Sequence, residues 1–103
     1  MTDATVPEVR LSISRGLWGE VSTHMRSVQF RLEERVLRLR FTFDSVPTGD
    51  DLESVGSIGA EVAADLPGWK VDEEVRAIAS DCAMPIEEGW HTAFRRKEPS
   101  LAH

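Results

Sequence analysis

The sequence predicts an α+β fold: a four-stranded antiparallel sheet with helices packed on one face, in the order α-β-β-α-β-β. Three observations carry that expectation. Apolar residues alternate with polar ones in two runs between Val28 and Phe43, joined by a short polar segment. A stretch with helical periodicity follows, bounded by TGDD at one end and Pro67-Gly68 at the other. Two further strand-like runs then complete the chain.

Residues 1–10 mix small, polar and proline residues and read as a loose lead-in, with a single domain over 11–98 and a short tail over 99–103. From Leu11 the positions Leu17, Val21 and Met25 recur every four residues, which predicts a short helix weakened by Gly16 and Gly19. Val28, Phe30 and Leu32 then share one strand face, and Leu37, Leu39, Phe41 and Phe43 repeat the pattern. Glu33 to Arg35 form the turn of an antiparallel hairpin, and without Asn-Gly or Asp-Gly its type is open.

After Pro47, Thr48 and Asp51 have the spacing of a capping box, and Asp50 and Asp51 suit the positive end of a helix dipole. The predicted helix carries an apolar stripe of Leu52, Val55, Gly59, Val62 and Leu66, widened by Ile58 and Ala63. Lys70 to Ala79 reads as a third strand with Val71, Val75 and Ala77 on one face. Trp90 to Lys97 reads as a fourth, with Trp90, Thr92 and Phe94 on one face. The segment between them, ASDCAMPIEEG, is longer than a hairpin needs.

The alternation leaves Gln29, Arg31, Arg38, Arg40 and Thr42, with Asp72, Glu74 and Arg76, on the sheet's second face. Four arginines between Arg31 and Arg40 raise the question of a nucleic-acid surface. Eighteen acids against twelve Lys and Arg give a net charge of −6, a field that opposes polyanions. Phe30, Phe41 and Phe43 moreover have the parity of the buried side, where no base can stack on them. The expectation is a solvated face of cross-strand ion pairs, with a protein-binding face as the alternative and no nucleic-acid or membrane partner.

Signatures of chemistry are few. Asp50, Asp51 and Glu53, then Asp72, Glu73 and Glu74, then Glu87 and Glu88 form acidic groups without the convergence that a metal or an acid–base pair needs. His24, His91 and His103 show no metal spacing, and Cys82 reads as a small buried residue, so no catalytic residue, metal or cofactor is expected. Glu73 points inward by its parity, an orientation the sequence does not explain. The tryptophans Trp18, Trp69 and Trp90 fall at element margins, where the ring packs and the indole nitrogen reaches a partner. A lone cysteine, and a start lacking the apolar core of a signal peptide, predict a cytoplasmic protein.

The order LWGEVSTHMRSVQF, LRLRFTFDSVPTGDDLESVGSIGAEVAADLP, a strand, and a final WHTAFRRKE resembles the immunity proteins of contact-dependent growth inhibition and related bacterial polymorphic toxin systems, over Leu11 to Glu98. The resemblance implies a non-enzymatic module that binds and neutralises a cognate toxin domain, often one with a basic cleft. Surplus carboxylates suit that partner by speeding encounter and pairing with its cations. Charge alone, rather than the resemblance, selects Glu20, Asp72, Glu74, Glu87 and Glu88, with Trp90, as partner-binding residues. Two other functions stand beside it: a homodimeric domain with a structural or interaction role, and a small hydrolase-like enzyme using His24 or His91. The state of the free protein is left as monomer or homodimer.

Overall fold

The structure is a computed structural model that describes residues 4–98; the expected tail over 99–103 lies outside the described residues. Its elements are α1 (Val6–Gly16), β1 (Met25–Glu33), β2 (Val36–Phe43), α2 (Gly49–Asp65), β3 (Lys70–Ala77) and β4 (His91–Arg95). The α+β class and the element order agree with the sequence reading. The all-antiparallel sheet does not: strand order is β3-β2-β1-β4, with β1 antiparallel to β2 and β4 but β2 parallel to β3. The cause is α2. A helix between two neighbouring strands carries the chain back to the end it started from, and the second strand must then run the same way.

The first helix also begins earlier than expected, because Thr5 accepts from the Glu8 amide as an N-cap and proline opens the first turn. Val6 to Arg10, read as lead-in, are therefore helical. The helix stops at Gly16, and Gly19 turns the chain at a φ of 78°, so the four-residue spacing of Leu17, Val21 and Met25 belongs to no helix. Met25 instead starts β1. The hairpin turn places Glu34 and Arg35 at φ values of 41° and 67°, a type I′ geometry held by two residues with a Cβ. The capping box of α2 forms as predicted: Asp51 Nα donates to Thr48 Oγ1 at 3.1 Å and the Thr48 amide to Asp51 Oδ2 at 2.9 Å.

Both helices lie over one sheet face. Val9, Ile13 and Leu17 join Val55, Ile58, Val62 and Leu66 above Val28, Phe30, Leu37, Leu39, Phe41 and Phe43 to form a single buried cluster. Leu52, expected in the α2 stripe, and Ala63, expected to widen it, face solvent. Gly16 lies against Ile58, which brings the helices close. Glu73 does point inward, opposite Leu39 and under α2, and Gly59 explains how: a methyl group there would collide with the Glu73 carboxylate.

Candidate functional site: the polar face of the sheet

Two extra residues re-aim side chains on the second face. In β1, Arg26 is bulged between Met25, opposite Phe43, and Ser27, opposite Thr42. In β4, Ala93 is bulged between Thr92, opposite Gln29, and Phe94, opposite Val28. The second bulge corrects the expected common face of Trp90, Thr92 and Phe94. Phe94 turns to the core side, while Trp90 stands on the polar side.

The long segment 78–90 has a topological task. It leaves β3 at one edge of the sheet and enters β4 at the other, a crossing of roughly 14 Å over two intervening strands. Helices occupy the apolar face, so it crosses the polar one as a strap. Arg26 fastens its start, Nη1 donating to the carbonyls of Ile78, Ala79 and Cys82 at 3.0, 2.9 and 3.0 Å. The same guanidinium holds Glu98 through two bonds of 2.7 and 2.8 Å. Arg96 joins them, donating to Asp44, Glu98 and the Thr23 carbonyl. Hydrogen bonds from Arg26 lower the Glu98 pKa to about 2, against the burial that would raise it.

Glu87 fastens the other end. It accepts from Arg76 Nη1 at 2.6 Å and from Arg40, which also donates to Glu74. Arg76 in turn donates to Thr42 Oγ1 at 2.9 Å, and burial, then the charge of Arg40, lowers its pKa. The Trp90 ring lies over the Arg40 guanidinium at 3.8 Å from Cζ to centroid. Beyond the strap, Glu33 bridges Arg31 and Arg38 at 3.0 and 3.4 Å. The arginine run that raised the nucleic-acid question is therefore a set of guanidiniums paired within the protein.

The half of the face nearest the hairpin turn stays open as a cleft of about 510 Å³. Arg31, Arg38 and Arg40 line it together with Glu33, Asp72, Glu73, Glu74 and Trp90. Three cations thus share the cleft with Glu33, Asp72 and Glu74, while the Glu73 carboxylate turns to the helix side. Asp72 and Glu74 are 39% and 55% exposed at the side chain, whereas Glu87 is 21% exposed and fully engaged.

Of the residues selected from sequence, Asp72, Glu74 and Trp90 come together at this cleft, with Glu87 on the strap at its border. Glu88 is exposed on the strap beside it. Glu20 does not join them: it lies against Asp50, Glu53, Ser54 and Ser57 at the start of α2. The residues missed were Arg26, Arg96 and Glu98, since a bulged arginine anchoring a crossing loop has no periodicity to betray it.

His24 sits near Asp44, Nδ1 to Oδ1 at 3.4 Å, while His91 packs tilted on Phe30 with centroids 5.1 Å apart. Most of the length of β1 separates the two, and neither faces the cleft. Cys82 is exposed rather than buried, and Trp18, expected at a packed margin, is 89% exposed. Among the described residues no group of three or more His, Cys, Asp or Glu is placed to hold a metal, and no helix is long and apolar enough to cross a membrane.

A comparison with family models matches residues 6–98 to the MafI2 immunity protein. No curated protein matches the chain.

Proposed function

The chain belongs to the MafI2 immunity protein family, whose task is to neutralise a toxin, and we propose that it does so by direct binding through the open half of its polar sheet face, without catalysis. The carrying observation is the charge left over there. The arginines of the cleft are committed to Glu33, Glu74 and Glu87, so Asp72 and the exposed strap residue Glu88 present anionic groups that, among the described residues, no arginine neutralises. Among the described residues, the ion pair of Asp72 is with the exposed Lys70, at 3.7 Å.

Such a surface suits a basic toxin domain. Its field speeds encounter with a cationic cleft, and partly desolvated carboxylates then form charge-assisted hydrogen bonds to lysine or arginine. Trp90 adds a rigid ring at the cleft wall, already held by Arg40 and so costing little order on binding. We place this encounter in the cytoplasm, where the exposed thiol of Cys82 stays reduced.

The test is co-purification with a toxin-like domain sought in the adjacent reading frame, followed by calorimetry. A one-to-one complex with Kd below about 1 μM is expected. No complex at micromolar concentration would reject the proposal.

A further inference from the structure

The sheet has two edges, and they are finished differently. β4 is short, bulged at Ala93, and its Thr92 carbonyl accepts from Arg10 of α1 at 3.2 Å. Those are the usual protections of an edge strand. β3 is longer, pairs with β2 without a bulge from Lys70 to Ala77 and carries no proline; its protection is charge, with Asp72, Glu73 and Glu74 in succession and Glu73 turned inward. The Lys70 amide donates to Arg35 and the Ile78 amide to Phe43, both toward β2. Alternation along the strand therefore turns the amides and carbonyls of Val71, Glu73, Val75 and Ala77 outward. Among the described residues, nothing bonds to them.

We infer that this free edge of β3 receives an extended cationic segment of the toxin as a fifth strand, with Glu73 meeting a lysine or arginine on the helix side while Asp72 and Glu74 meet others on the cleft side. The inference rests on the toxin-binding reading above and names its mode. Strand addition draws affinity from main-chain bonds and selectivity from the alternate side chains. Here three successive carboxylates, Asp72, Glu73 and Glu74, set that selectivity on both faces of the edge. Glu73 has room under α2 only because residue 59 is glycine, and among the described residues it has no hydrogen-bond or ion-pair partner. Burial raises its pKa, so an incoming cation relieves a cost the free protein carries.

A second copy of this chain is the competing occupant. Antiparallel self-pairing that uses all four outward residues centres on Glu74 and sets Glu74 opposite Glu74, while a register centred on Glu73 sets Glu73 opposite Glu73 and Asp72 opposite Glu74. Like charges directly opposite one another destabilise a sheet.

Amide hydrogen exchange on the wild-type protein, free and with the adjacent-frame toxin domain, decides the matter. The Val71, Glu73, Val75 and Ala77 amides should exchange rapidly when free and slow by at least about 10-fold in the complex. Glu73→Lys should weaken binding by at least about 10-fold while leaving the exchange of core amides unchanged. If the toxin binds and those four amides exchange as before, the edge is not the site, though the neutralising role stands. If the free protein already protects them in a concentration-dependent way, a second copy holds the edge and the inference falls. If no toxin domain binds, the parent reading fails and takes this one with it.

Discussion

The two faces of one sheet are held by different physics. Over the apolar face, α1 and α2 bury fourteen hydrophobic side chains in one cluster, ten of them fully. That adhesion is non-directional and nearly indifferent to salt and pH. Across the polar face a single strap is fastened by guanidiniums: Arg26 at its start, Arg40 and Arg76 at its end, with Arg96 bracing the C-terminal segment. Such bonds are directional, and they loosen when their carboxylates are protonated or screened. The division of labour leaves stability chiefly on one side and an ion-paired, partly open surface on the other.

The largest effect should come from the apolar face. Phe41→Ala, at a fully buried position, is expected to cost about 3 to 5 kcal/mol in urea denaturation. An equal cost for Trp90→Ala, which loses only a half-exposed ring over Arg40, would break the contrast; about 1 kcal/mol is expected there.

The strap should respond to acid instead. Because the Glu98 pKa is lowered to about 2 in the folded protein, its contribution is full above the unfolded value near 4.5 and fades as pH falls from there toward 2. The Glu98 share lost in that window is on the order of 2 kcal/mol, and Glu98→Gln should remove that share while Asp44, Asp51 and Asp65, also lowered, keep theirs. A wild-type acid profile that the variant reproduces would remove Glu98 from the account.

The smallest effect has the opposite sign. Burial raises the Glu73 pKa, so this residue lowers stability above its folded pKa and costs nothing below the unfolded value. Solvent at the sheet edge screens the cost, and Glu73→Gln should stabilise by a few tenths of a kcal/mol at neutral pH and by nothing near pH 3. Thermal melts of the two proteins at both pH values would show it.

Much of this was legible in the chain. Period two located the hairpin and its buried phenylalanines, and the Thr48–Asp51 spacing located the start of α2, because both signals are local. The parallel pairing of β3 was present in principle as strand, helix, strand. Reading the sheet as antiparallel overlooked what a crossover helix does to direction. Thr5 and the proline after Val6 marked the true start of α1, a capping signal outweighed by a chance spacing of apolar residues. Of the residues selected by charge, Asp72 and Glu74 lie with Trp90 along the cleft. Glu20 was drawn in by charge alone and lies elsewhere. Arg26 and Glu98 stayed hidden because their pairing spans the length of the fold and depends on a bulge.

The account stands on the claim that the toxin meets the protein at β3 and the open cleft rather than on the helical side. The most direct measurement is the affinity of the toxin domain for Asp72→Lys/Glu74→Lys beside a control, Glu61→Lys, on the exposed face of α2. The account predicts a loss of at least about 10-fold for the cleft pair and an unchanged affinity for the control. An unchanged cleft pair with a weakened control would contradict it.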